Sequence, residues 1–165
     1  MFNNIDFLFI MMLNTLLFFH SVVRWAVLAT LFYAIFRAYK GYAHKLTFTK
    51  RDDSIRHWAA TTAHIQLMLG IVLYTQSPNA KFSLHSTVVN GQVTQPFFFG
   101  VIHLLLMVLA IVIITIGSAM AKRKTTNSDK FKTMLIWFGI ALLVIFIAIP
   151  WPFSPLAQRP YLRSF

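Results

Sequence analysis

The chain has 165 residues and a formal net charge of +11, from 15 Lys+Arg against 4 Asp+Glu, and it contains no cysteine. Hydrophobic residues make up 58% and charged residues 12%, against roughly 45–50% and 25% in a typical globular chain, so the polar side chains are too few to cover a surface in water. This excludes a disordered chain, a nucleic-acid-binding domain and an ordinary cytosolic enzyme, and the missing cysteines exclude disulfides, Cys-ligated zinc or iron–sulfur centres and covalent haem attachment.

Residues 1–16 are apolar, with Asp6 their only charge. They lack the basic stretch and small-residue cleavage site of a signal peptide. Three readings stay open for them: an interfacial helix, an outward extension of the first span, or a start at Met11 or Met12. A membrane span needs about 20 mostly apolar residues, and four segments qualify, at about 17–39, 58–75, 97–121 and 131–150. Each is predicted helical, because unpaired backbone groups cannot face lipid. Asp52, Asp53 or Ser54 is the expected cap of the second helix, and Asn127, Ser128 or Asp129 that of the fourth. Between the second and third lies a 21-residue polar loop, Gln76 to Pro96, holding Pro78, Lys81, His85 and Gly91; loops of that length are usually functional or bind a partner. Pro150, Pro152, Pro155 and Pro160 mark residues 151–165 as an extended tail, with Trp151 at the membrane interface.

Charge fixes the expected topology. The loop between the first two spans carries Lys40, Lys45, Lys50, Arg51 and Arg56, and that between the last two carries Lys122, Arg123, Lys124, Lys130 and Lys132. The remaining connections carry only Lys81, Arg159 and Arg163. The positive-inside rule therefore predicts a single all-α, up-down-up-down domain of four transmembrane helices, with both basic loops in the cytoplasm and both termini outside, in the periplasm. The net charge is accounted for by topology and needs no nucleic-acid partner; the basic loops would attract anionic lipid heads.

Polar groups within spans are the candidates for function, because each costs free energy to bury. The acids Asp6, Asp52, Asp53 and Asp129 all lie outside them, which removes carboxylate proton relays, di-iron carboxylate sites and paired-carboxylate catalysis. Three histidines lie within: His20, His64 and His103. At about 1.5 Å per residue from boundaries at Tyr39, Trp58 and Ala119, His20 stands roughly 28 Å, His103 roughly 24 Å and His64 roughly 9 Å from the basic end. The matched depth of His20 and His103 suits a b-type haem held by one imidazole on each side. Arg24, four residues after His20, shares its face and would pair with a propionate, and Gly100 would let a flat macrocycle approach. The alternatives are interhelical hydrogen bonds for the histidines and, for Arg24, snorkelling or a carbonyl partner. A second haem between His64 and Met134 is a further option. His57, Thr61, His64 and Met68 share one face of the second helix, expected to point into the bundle.

The runs His20-Ser21-Val22-Val23-Arg24-Trp25 and Ala63-His64-Ile65-Gln66-Leu67-Met68-Leu69-Gly70-Ile71-Val72-Leu73-Tyr74, together with His103 and Met107, Ile114-Thr115-Ile116-Gly117 and Ile149-Pro150-Trp151, resemble a family of small bacterial four-helix integral membrane proteins labelled cytochrome b-like. The resemblance covers roughly residues 14–152 and implies haem b in a multi-pass protein of the bacterial inner membrane. That family commonly has an acid before the third-helix histidine; Ile102 stands there in this chain. Three functions are expected in turn. The first is a haem-bearing subunit of a respiratory electron-transfer complex, exchanging electrons with a quinol or redox partner. The second is a haem-free accessory subunit packing against a larger membrane complex. The third is a small transporter, for which helix 2 offers Thr61, Thr62, His64 and Gln66. No nucleophile–base arrangement and no phosphate loop appear, so stand-alone catalysis is not expected.

Overall fold

The computed structural model describes residues 4–77, 80, 88–89 and 92–162, which form an all-helical structure. Helix α1 is Asn4–Ala43, α2 is Lys50–Gln76, α3 is Gln95–Arg123 and α4 is Asn127–Ala148. A two-stranded antiparallel ladder, β1 (Val88–Val89) with β2 (Gln92–Val93), lies in the long loop. Lys81, His85, Gly91 and Arg163 lie outside the described residues.

Helices α1, α3 and α4 are long and apolar enough to cross a membrane. Helix α2, diluted by His57, Thr61, Thr62, His64 and Gln66, is not among them. Helix α1 is one unbroken rod of 40 residues, roughly 60 Å long and about twice a hydrocarbon core. The described part of the N-terminal segment is therefore a direct extension of the first helix, and Phe7 to Met12 are exposed along it.

Helix α1 packs on α2 and α4, and α3 packs on the same two. The shared core is built from small and large residues in alternation: Leu31 and Ala34 of α1, Ala59 and Ala63 of α2, Ala110 and Ile114 of α3, and Phe131 and Phe138 of α4 are all wholly buried. Small residues matter here because they let the helix backbones approach closely, so that van der Waals contact supplies the attraction. Gly41 accepts the Phe131 ring, and Gly117 accepts Trp137, at separations that a Cβ would occupy. Large apolar side chains such as Phe32, Met68, Leu105 and Leu143 point outward, the reverse of a water-soluble surface.

The basic-loop end is tied by ions. Asp52, 1% exposed, accepts both Nε and Nη2 of Arg37, at 3.0 and 2.6 Å. Arg56 bonds to Asp53 and reaches across to the hydroxyl and carbonyl of Ser118. The cap of α2 is Thr49, in a reciprocal capping box with Asp52, and the cap of α4 is Thr126. Both lie one or more residues before the expected caps, because a Thr hydroxyl three positions ahead of an Asp accepts that residue's backbone N–H and donates to its carboxylate. Asn127 instead accepts the Phe48 amide.

At the other end the tail is folded back onto the helices and is not extended. The indole of Trp151 donates to the Phe146 carbonyl at 2.8 Å, and its ring stacks on Phe153 and meets Trp25 edge-on. The Tyr161 carbonyl accepts from the Trp25 indole at 3.0 Å and from the Arg24 guanidinium. Prolines end the helix at Ile149, but aromatic stacking and two long donors from α1 give the following segment a surface to lie on.

Candidate functional site

A cavity of about 350 Å³ opens between α1, α2, α3 and the tail, at the end opposite the basic loops. His20 and Arg24 reach it from α1, Gln66 and Tyr74 from α2, His103 and Met107 from α3, and Arg159 from the tail. No carboxylate is among the described residues lining it. The imidazoles of His20 and His103 meet across it with ring centroids 6.5 Å apart and planes at 64°.

His103 follows directly on a π-helical turn, Phe98–Ile102. Such a turn inserts an extra residue into the helix, and it is a frequent feature of functional sites. It shifts the phase of α3, so that Phe98, Phe99 and His103 gather with centroid distances of 4.9 to 6.0 Å. One carbonyl of this turn, that of Gly100, accepts the Tyr74 hydroxyl at 3.3 Å. The Nδ1 of His103 donates to the carbonyl of Ala148 at 2.8 Å. Ala148 is the last residue of α4, so its carbonyl has no partner within the helix. With the proton on Nδ1, the lone pair of His103 is on Nε2.

His20 is held differently. The Gln66 amide nitrogen donates to His20 Nε2 at 3.2 Å and to the His20 backbone carbonyl at 3.0 Å. Both partners are acceptors, which fixes the amide orientation and puts the imidazole proton on Nδ1. Three buried polar atoms here have no hydrogen-bond partner: His20 Nδ1, Gln66 Oε1 and Arg24 Nε. Gly70, one turn beyond Gln66, lets α2 come close; a Cβ there would stand 3.4 Å from His20 Cε1. Among the described residues the ion pairs are Arg37–Asp52 and Arg56–Asp53, so Arg24 faces the cavity with a carbonyl as its acceptor and no carboxylate partner.

The residues expected from the sequence separate into two groups. His20, Arg24 and His103 share the cavity. His64 lies apart from it and is exposed: its Nδ1 donates to the Ala60 carbonyl at 2.7 Å and its Nε2 pairs with the Thr115 hydroxyl at 3.1 Å. Met134 is buried in the core. His64 and Met134 thus lie outside the cavity that His20 and His103 line. Of the face His57, Thr61, His64 and Met68, expected to point inward, His57, His64 and Met68 are exposed and Thr61 is half-buried. The inward face of α2 is Ala59, Ala60 and Ala63, because close helix contact selects the smallest side chains available. The glycine beside a cavity histidine is Gly70, whereas Gly100 is buried in the π turn.

Gln66 enters the sequence reading only as a polar residue for a transporter, and Gly70 and Tyr74 only within the run that carries the resemblance; none is expected there as a partner of the cavity histidines. Their i, i+4, i+8 spacing, on a different face from His64, is the signal that would have found them.

No family model, no curated protein and no solved structure matches the chain.

Proposed function

We propose that the chain is an integral-membrane, b-type cytochrome-like protein of the bacterial inner membrane. In this reading its helices cross up-down-up-down as a four-helix bundle with both termini outside, and it serves as a haem-bearing subunit of a respiratory electron-transfer complex. The observation that carries the reading is the His20–His103 pair across the cavity. Two metal–nitrogen bonds of about 2 Å each, plus two half-ring widths, give a centroid separation of roughly 6 Å, and the observed value is 6.5 Å.

The donor set points the same way. Among the described residues no three His, Cys, Asp or Glu side chains gather as a bare metal ion would require. Two imidazoles suit a macrocycle that brings its remaining donors with it. His103, oriented by the Ala148 carbonyl, has the outer-shell support typical of a metal-bound histidine. Arg24, with its Nε unpartnered, is available to a propionate. Phe98 and Phe99 pack beside His103, with ring centroids 5.9 and 6.0 Å from it. When bound, haem would supply one-electron redox chemistry; the chain's own residues hold and orient it.

A second reading, a haem-free accessory subunit, is favoured by the N-terminal part of α1, where Phe7 to Met12 extend unpacked. The two are separated by a reduced-minus-oxidised spectrum of protein purified in mild detergent after haem-replete expression. A b-type α band that disappears in His103→Ala supports the haem reading. A preparation with no Soret band refutes it and leaves the accessory role.

A further inference from the structure

A second cavity, a groove of about 190 Å³, lies between α1 and α2 at the basic-loop end. Thr30 and Tyr33 line it from α1, and Arg51, Ser54, Ile55 and Trp58 from α2. The α2 residues recur at intervals of three and four and so share one face. Arg51 stands at the mouth, and Trp58 lies roughly 10 Å further along the helix. Between them the hydroxyls are spent within the protein. That of Ser54 donates to the Lys50 carbonyl at 3.0 Å, and that of Thr30 pairs with the Thr62 hydroxyl at 2.9 Å. What the groove presents below its mouth is therefore apolar: Ile55 and the rings of Trp58 and Tyr33.

Arg51 is the exception. Its guanidinium makes one hydrogen bond, from Nη2 to the Tyr33 hydroxyl at 3.3 Å, out of five donors available. The Tyr33 oxygen is the acceptor there, so its own proton is left to donate. The two acids that follow Arg51 in the chain are already engaged, Asp52 by Arg37 and Asp53 by Arg56. Lys50, exposed next to Arg51 in the chain, adds a second cation, and no carboxylate is among the residues lining the groove.

We propose that this groove binds one anionic phospholipid, its phosphodiester held by Arg51 and Tyr33 and the start of an acyl chain lying along Ile55 and Trp58. The inference rests on the reading of the helices as membrane-spanning and is independent of haem. A basic pocket between helices at the cytoplasmic side suits an anionic head group. A zwitterionic head brings an ammonium for which the groove has no acid. The planar fork of Arg51 makes this a sited contact, distinct from the diffuse attraction of the basic loops.

The test is native mass spectrometry of the full chain released from detergent, titrated with phosphatidylglycerol or with phosphatidylcholine of the same acyl chains. One phosphatidylglycerol is expected to stay bound where phosphatidylcholine does not, and glycerol phosphate is not expected to displace it. Arg51→Gln should weaken binding at least about tenfold, the factor that one charge-assisted hydrogen bond supplies. Tyr33→Phe, which removes only the hydroxyl, should weaken it about two- to tenfold. Lys124→Gln is the control, since it removes the same charge from the other basic loop and should leave the affinity unchanged. Arg51 and Lys124 are exposed and outside the ion pairs of the described residues, so both variants keep the fold. Equal retention of the two lipids overturns the inference, and so does an equal loss in Arg51→Gln and Lys124→Gln, which would mean charge without a site. Displacement by glycerol phosphate overturns the lipid and leaves a free anion. None of these outcomes touches the haem reading, which stands or falls on the Soret band.

Discussion

Replacing Asp52 by Ala tests the ion-tied end of the structure. Its carboxylate, 1% exposed, accepts four hydrogen bonds: two from Arg37 at 3.0 and 2.6 Å, one from the Thr49 amide at 3.0 Å and one from the Thr49 hydroxyl at 2.7 Å. Removing one partner of a buried pair costs about 3–5 kcal/mol. The Arg37 side chain is 26% exposed and rehydrates in part, which places the loss near the lower bound, about 3 kcal/mol. The Thr49 hydroxyl still accepts the residue-52 amide, so most of the helix cap survives. The pair also has a pH signature. Burial opposes the Asp52 charge, but the Thr49 amide, Arg37 and the Thr49 hydroxyl outweigh it and hold the carboxyl below its usual range. A depressed folded-state pKa contributes stability that is present above the unfolded value and is lost as pH falls through the folded one. The wild-type protein should therefore lose this contribution below about pH 4, and Asp52→Ala should show no such dependence. The assay is reversible unfolding in detergent followed by helical circular dichroism, on wild type, Asp52→Ala, Arg37→Ala and the double variant. A loss under about 1 kcal/mol, or additive single losses in the cycle, would refute the argument, since contacting partners must couple.

The glycines make a matched pair: Gly117→Ala drives a Cβ into Trp137 and should cost about 1–3 kcal/mol by overpacking. Gly139, where a Cβ meets nothing within 4 Å, should gain up to about 1 kcal/mol from alanine's helix propensity, and equal effects at the two sites in the same unfolding assay would contradict the packing described here. Deleting residues 158–165 removes the Tyr161 carbonyl that Arg24 and Trp25 share and should cost about 1–3 kcal/mol for the stranded donors. An unchanged melting temperature would mean that the tail does not hold α1.

The site is legible in the sequence only along the helix axes. His20 and His103 have matched depths because a helix advances a constant rise per residue, so counting from the basic loops suffices. Which face each residue occupies is a different matter. Helix α2 is nearly uniform in hydropathy around its circumference, and a polar stripe in it can point to a neighbour or outward. His64 points outward because Ala59, Ala60 and Ala63 pack better against the other helices, and its polarity is satisfied locally by Ala60 and Thr115. The sequence offers Gln66 as a polar residue of helix 2 but not its contact with His20, because an amide becomes significant only through what it touches. The tail lies against the helices and not extended as expected, because proline forbids helix without fixing whether the following chain finds a surface.

The sequence by itself determined the helices: an apolar composition with few charges, broken by basic loops, yields long helices with apolar surfaces, three of them long and apolar enough to cross a membrane, and in each the backbone is paired within the segment. Only the tertiary structure decided which polar groups meet. The pairing of His20 with Gln66, of His103 with the end of α4 and of Arg24 with the Tyr161 carbonyl depends on helix rotation. That rotation is set by how glycines and alanines let backbones approach, a property of surfaces in contact that no single helix carries in its own pattern.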